Sequence, residues 1–157
     1  MDALTSAVDS LCENRAREGL KLKNMLERRC KDIESILAAV LKRLPTVLKE
    51  IREKLNERII SLNVQPDEER LEHELAIVVQ KLDVSEELDR LQAHVEEVRN
   101  IVEEETPVGR RLDFLMQELN REANTLGSKS ADSETTQYAV ELKVLIEQMR
   151  EQVQNVE

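Results

Sequence analysis

Residues 22–44 read LKNMLERRCKDIESILAAVLKRL, and this stretch decides the fold. Its apolar residues recur at spacings of three and four or their sums, which is the period of one face of an α-helix. They are Leu22, Leu26, Ile33, Leu37, Val40 and Leu44. The pattern predicts one long helix over residues 3–44, which would span roughly 60 Å if it were helical throughout.

Similar apolar stripes continue through the rest of the chain and predict further helices. Pro45 fits the first turn of a second helix, so residues 1–66 are expected to form a long antiparallel hairpin. Residues 67–157 are expected to form a second, acidic helical domain. Within it, Asp83-Val84-Ser85-Glu86 has the form of a capping box, where a new helix starts or a continuous one bends. Gly127 is expected to end the helix before the final loop.

The composition supports an all-α fold of long helices with narrow apolar seams. Aromatic residues make up 1% of the chain, charged residues 36%, and Gly and Pro are three each. Such chains form long antiparallel hairpins in a coiled-coil-like bundle. Because narrow apolar seams need cover from another helix, we expect a homo-oligomer.

The sequence also indicates in which cellular compartment the protein is expected. No stretch reaches the roughly 18 consecutive apolar residues that a membrane span needs, and the N-terminus lacks a basic region followed by an apolar block. We therefore expect a cytoplasmic protein without membrane contact. Cys12 and Cys30 lie about five turns apart in one predicted helix, so they cannot bridge each other within it and are expected to be reduced.

The net charge of -10 is divided unevenly along the chain. Residues 1–66 hold 13 Lys and Arg against 10 Asp and Glu, or +3, while residues 67–157 hold 10 against 23, or -13. An acidic half repels nucleic acid unless cations intervene, whereas a mildly basic helix can contact phosphates. Charge by itself therefore argues against RNA binding.

Polar residues interrupt the apolar pattern at two places in the first part of the chain. Arg15, Arg17, Glu18 and Gly19 break the seam of the first helix, which a local bend with solvated charges would also explain. Asp83, Glu87, Arg90 and His94 are spaced so that they share one helical face, with Glu86 beside Arg90. That face could hold a divalent ion and a phosphate, although a ladder of ion pairs explains the same spacing.

The segment from Asp113 to Asn124 is the least typical of a plain surface helix. Asp113, Gln117, Arg121 and Asn124 share one face, and Glu118, Arg121 and Glu122 share the adjoining one. Asn is mildly unfavourable inside a helix because its amide competes with the backbone, although solvent exposure could account for it. No Ser/His/Asp or Cys/His nucleophile, glycine-rich phosphate loop or zinc pattern is present in the sequence.

The available chemistry is therefore that of carboxylates and basic side chains. This set suits hydrolysis of phosphodiesters, in which oxygen ligands hold Mg²⁺ or Mn²⁺ and cationic groups offset the phosphate charge.

The same segments resemble the YicC/YloC family. The resemblance is carried by KLDVSEELDRLQAH at residues 81–94 and GRRLDFLMQELNREANT at 109–125, with Arg15-Ala-Arg-Glu-Gly19, Ser128-Lys-Ser130 and residues 141–152 in support. The family implies a metal-dependent endoribonuclease that acts on RNA rather than DNA and assembles into oligomers, with hexamers among them. Its members are about twice this length, so we expect this chain to lack the family's N-terminal domain. Whether such a part cleaves RNA alone stays open.

The site residues are our physical inference, placed on the family-like motifs. Ligands and the general base are predicted among Glu86, Glu87, His94, Asp113, Glu118 and Glu122. Phosphate contacts are predicted for Arg15, Arg17, Arg90, Arg121 and Lys129, and substrate positioning for Gln117, Asn120 and Asn124. The alternatives are a non-catalytic oligomerisation module and an RNA-binding adaptor. Convergence of the regions around 15–19, 83–94 and 113–129 on one cavity would favour a catalytic site.

Overall fold

The computed structural model describes residues 2–61, 68–81, 83–104 and 107–155, and these contain five α-helices and no strand. The helices are α1 (Asp2–Ser61), α2 (Glu68–Lys81), α3 (Ser85–Val102), α4 (Gly109–Lys129) and α5 (Ser133–Gln154). The all-α prediction is confirmed. None of the described helices is long and apolar enough to cross a membrane.

The middle of α1 packs with α3, α4 and α5 as a four-helix bundle. Both α3 and α5 contact α1 and α4, so α1 and α4 lie on the diagonal of the bundle. Ion pairs between Lys23 and Glu103 and between Glu34 and Arg99 show that α1 and α3 run antiparallel. The interior is built of aliphatic side chains, among them Leu26, Ile33, Leu37, Leu91, Val95, Leu119, Leu126, Leu142, Ile146 and Met149.

The predicted hairpin over residues 1–66 is wrong, because α1 passes through Pro45 without turning. A proline inside a helix loses one hydrogen bond and crowds the preceding turn, which costs about 3 kcal/mol. Packing on both sides of it opposes this cost: Val40 and Val47 are buried, and the Arg43 Nε donates to Asp132 Oδ2 at 3.2 Å. The proposed domain boundary between residues 66 and 67 lies outside the described part of the chain.

Both ends of α1 extend beyond the bundle. Residues 4–21 are exposed on all sides, and the seam residues become shielded only from Leu22 onward. Near its other end, α1 packs against α2, where Arg52 pairs with Glu72 and Leu75 is buried. The bundle therefore uses only the middle of a much longer helix.

Gly127 is expected from the sequence to end α4, and this prediction is wrong, because Gly127 lies inside that helix. A Cβ placed on Gly127 would be 3.3 Å from the Cβ of Ala139 on α5. The glycine therefore serves a close approach of two helices. Of the two alternatives left open at Asp83, a new helix or a bend, the structure shows a new helix. α3 begins at Ser85, whose backbone N–H donates to Asp83 Oδ1 at 3.0 Å.

A bidentate ion pair joins α1 to α3 close to the buried thiol of Cys30. The Arg99 Nη1 and Nη2 donate to the two carboxylate oxygens of Glu34 at 2.5 and 2.8 Å, and this holds the pKa of Glu34 below its usual value. Burial raises the pKa of the Cys30 thiol to about 11, so it stays protonated. Cys12 is exposed and unbonded to Cys30, as expected.

Candidate metal centre

The packing of α3 against α4 brings together three side chains that could ligate one metal ion. A ring nitrogen of His94 and carboxylate oxygens of Glu118 and Glu122 all lie within 4.8 Å of one another. In the described ranges, no other group of three or more His, Cys, Asp or Glu side chains lies close enough to do so. His94 comes from α3 and the two glutamates from successive turns of α4, four residues apart.

Glu122 is the innermost of the three, with 4% of its surface exposed. It falls in the buried stripe of α4 beside Leu119, Ala123 and Leu126, and its carboxylate consequently lies in the seam between α3 and α4. A buried carboxylate is costly unless it is paired. The Arg90 Nη1 donates to its Oε1 at 3.3 Å, which partly offsets that cost.

The donor set fits a divalent cation. Ligands of one such ion sit about 2.1 Å from it, so two of them are at most about 4.2 Å apart. Small rotations of the half-buried His94 and Glu118 side chains would bring the three donors within that limit. Two carboxylates and one imidazole suit Mn²⁺ better than Mg²⁺, which prefers oxygen ligands alone.

Two cationic side chains border this group on the solvent side. Arg90 also pairs with Glu86, and Glu86 first and Glu122 second raise the pKa of its guanidinium. The side chain of Arg90 is 49% exposed. Arg121 is more exposed and lies 3.9 Å from the Glu118 carboxylate. Each guanidinium group therefore lies beside a carboxylate of the candidate metal centre.

Glu87 and Lys129 pair with each other instead of joining the three donors. The Lys129 Nζ lies 2.8 Å from Glu87 Oε1 and 2.9 Å from the backbone oxygen of Asp83. Glu87 precedes His94 by two helical turns, or roughly 10 Å along α3. The structure therefore separates Glu87 from the donors it was predicted to join.

Asp113 lies near the start of α4, about 13 Å along the helix from Glu122 and about 8 Å from Glu118. Its carboxylate accepts hydrogen bonds from Gln154, Gln117 and Arg150, and these hold its pKa below the usual value, the bond from Gln154 contributing most. The structure does not bring this predicted catalytic residue, or Gln117, to the three donors.

Asn120 and Asn124 hydrogen-bond to each other along α4, with the Nδ2 of Asn124 2.8 Å from the Oδ1 of Asn120. Asn124 is exposed and Asn120 is partly buried. Solvent exposure therefore explains Asn124, and the contact with its neighbour satisfies one group on each amide. Their predicted role in positioning substrate stays a prediction.

Arg15 and Arg17 lie on the exposed part of α1. The Arg17 Nη2 donates to Asn14 Oδ1 at 2.9 Å. Arg17 is 17 residues from Glu34, the residue that pairs with α3, which corresponds to roughly 25 Å along the helix. Of the three regions expected to converge, those around 83–94 and 113–129 meet, and the one around 15–19 does not join them.

A cleft of about 260 Å³ lies at the end of the bundle beyond Lys129. Its walls are mainly aliphatic, including Leu44, Val47, Val79 and Val84. In the sequence, only the continuation of the apolar stripe of α1 past Pro45 indicates this cleft. The cleft holds none of the three metal donors, so the candidate chemistry lies outside it.

Comparisons with known proteins identify the family of the chain. The family model described as "Endoribonuclease YicC-like, C-terminal" matches residues 40–157. The chain is 48% identical over 159 residues to "Probable endoribonuclease YicC" of Haemophilus influenzae and 40% identical over 158 residues to that of Clostridioides difficile. Each match covers 99% of this chain but 55% and 54% of the relative. The chain thus spans about half the length of these curated relatives.

Proposed function

Because the chain belongs to the family of the C-terminal domain of YicC-like endoribonucleases, we propose that it supplies the metal-binding part of a divalent-metal-dependent endoribonuclease. The substrate is RNA, as the names of the two relatives imply for those proteins. The observation that carries the proposal is the grouping of His94, Glu118 and Glu122 at the α3–α4 seam.

Each side chain of the group has a distinct part in the proposed mechanism. His94, Glu118 and Glu122 would hold the ion, and Arg90 fixes the buried carboxylate of Glu122 in place. When bound, the divalent ion supplies an activated water and polarises the phosphate. Arg90 and Arg121 bind the phosphate of the scissile bond and offset the charge that develops on it.

Glu86 is the carboxylate nearest to Arg90 outside the metal-binding set. It is exposed and lies one turn before Arg90 on α3. A general base must reach the attacking group and must not be consumed as a ligand. Glu86 is not used as a metal ligand in this proposal. Its ion pair with Arg90 places its carboxylate at the border of the proposed phosphate-binding position.

Removal of the metal should abolish RNA cleavage by a protein that carries this chain together with the rest of the family's length. Cleavage of a labelled RNA is measured in chelator and after addition of Mn²⁺ or Mg²⁺. We expect no cleavage in chelator and a faster rate in Mn²⁺, because His94 favours the ion that accepts nitrogen ligands. This chain alone is assayed in parallel. An undiminished rate in chelator would refute the metal-dependent mechanism.

We also propose that the protein self-associates through the exposed part of α1. Leu4, Val8 and Leu11 are 72%, 50% and 58% exposed, and they are spaced as one stripe of the helix. An exposed stripe of this kind is typical of a surface that another helix covers.

Replacing Leu4, Val8 and Leu11 by Ser should reduce the molar mass of the assembly in light scattering. The matched control replaces the exposed Val140 and Val144 of α5 by Ser, which should leave the mass unchanged. The wild type should exceed the mass of one chain, and a monomeric wild type at all concentrations would contradict self-association.

A further inference from the structure

The outward face of α1 carries a row of cationic side chains, of which only Arg17 is among the predicted site residues. Arg17, Lys21, Arg28 and Lys31 are all exposed, and Asn24 fills the one position between them. Their spacings of four, three, four and three residues place them on one line along the helix. We call these four residues the cationic stripe. It extends over 15 residues, or about 21 Å.

The cationic stripe lies directly opposite the face of α1 that is buried in the bundle. Arg28 and Lys31 are each two residues from a buried position, Leu26 and Ile33 respectively, which is a little more than half a turn around the helix. The stripe therefore points away from the interior. Its line continues through Ser35 and Ala38 to Lys42, and none of these positions carries a carboxylate.

The four acidic residues in this part of α1, Glu18, Glu27, Asp32 and Glu34, lie off the line of the stripe, and Glu27 and Asp32 are each one helical turn from one of its cations. The Glu34 carboxylate is bound by Arg99 of α3, and the Asp32 carboxylate lies 3.4 Å from Arg29. Residues 15–49 hold 10 Lys and Arg against 4 Asp and Glu, in a protein whose net charge is -10. A local positive surface of this kind on an acidic protein attracts a polyanion.

We propose that the cationic stripe binds the phosphate backbone of RNA, as an extension of the endoribonuclease function proposed above. Lys and Arg that are one helical turn apart meet successive negative charges, and such binding depends on charge rather than base sequence. A second acidic chain would offer scattered carboxylates among aliphatic groups. The stripe contains no apolar side chain that could pack against those aliphatic groups. This favours RNA over protein as the partner.

The position of the stripe defines what it does for the reaction. It lies on α1, across the bundle from α4, whereas the metal centre lies at the α3–α4 seam. The RNA held by the stripe is therefore a flanking segment and not the scissile bond. Loss of the stripe should weaken RNA binding and raise KM, with kcat unchanged.

The test is RNA binding by a triple variant of the whole protein, Lys21→Gln, Arg28→Gln and Lys31→Gln. Fluorescence anisotropy of a labelled single-stranded RNA is measured in chelator, so that binding is separated from cleavage, over a series of salt concentrations. A matched control, Lys54→Gln, Arg110→Gln and Lys143→Gln, removes the same charge from exposed positions elsewhere. Three lost phosphate contacts should reduce the salt slope of log K by about 2, at about 0.7 per contact. The control should keep the wild-type slope.

Equal slopes for the triple variant and its control would overturn the proposal, as would a wild type that does not bind RNA in chelator. A triple variant that binds RNA normally but has a lower molar mass would identify the stripe as a contact between chains and would also overturn it. Failure of the endoribonuclease function itself would appear separately, as a wild type that binds RNA and does not cleave it in Mn²⁺.

Discussion

Substitution of Glu122 by Gln should lower the rate of RNA cleavage by about a hundredfold. The amide keeps the size of the side chain and an oxygen that can still accept from Arg90, but it removes the negative charge from the most buried of the three donors. Since a neutral amide is a much weaker ligand than a carboxylate, the hold on the ion and on its water should weaken. The effect should be smaller at saturating Mn²⁺ than at low Mn²⁺.

The matched control is Glu96→Gln, which removes the same charge from an exposed position of α3 two residues beyond His94. Its cleavage rate should stay at the wild-type value. Both variants should keep the helical circular dichroism spectrum of the parent protein. A Glu122→Gln variant that cleaves at the wild-type rate across a metal titration would remove this carboxylate from the metal centre.

Substitution of Ile146 by Ala should destabilise the bundle by about 2–5 kcal/mol. Ile146 lies on α5 with no exposed surface, in the core that α5 shares with α1 and α4. Its truncation removes buried methyl groups and leaves a cavity, because a close-packed interior relaxes only in part. The free energy of unfolding is obtained from urea denaturation followed by circular dichroism.

Val144→Ala is the matched control, since Val144 lies on the same helix and is 51% exposed. Its free energy of unfolding should differ from that of the parent by no more than about 0.5 kcal/mol. A similar loss for both variants would show that the outward and inward faces of α5 are wrongly assigned.

The sequence predicted the helical class and the later helices well, because their apolar stripes repeat with the helical period and their cores are built on those stripes. Leu142 and Met149 of α5, for instance, are seven residues apart, as one stripe of a helix requires, and both are buried. The two errors have a common cause. Pro45 and Gly127 are residues that end isolated helices, but contacts with neighbouring helices hold α1 and α4 together across them.

The candidate metal centre could be predicted only in part. Periodicity placed Glu118 and Glu122 on one face of a helix and His94 on another helix, but the register between α3 and α4 decides whether they meet. Sequence periodicity does not determine that register. Asp113 was included because it lies on the adjoining face of the same helix, and that face turns toward the end of α5 and Arg150.

The cationic stripe was missed for a different reason. The charge of +3 for residues 1–66 averages over all faces of a helix, so it conceals a line without acidic residues. The burial of Leu26 and Ile33 shows that this line of cations faces outward. Charge counted by helical face would have identified Lys21, Arg28 and Lys31.

Direct measurement of Mn²⁺ binding to this chain tests the metal centre most directly. Electron paramagnetic resonance reports the free ion during a titration of the wild type and of the triple variant His94→Gln, Glu118→Gln, Glu122→Gln. The wild type should bind one ion per chain at this site, and the triple variant should lose that binding while it keeps its helical spectrum. Equal binding by the two proteins would contradict a metal centre formed by these three side chains.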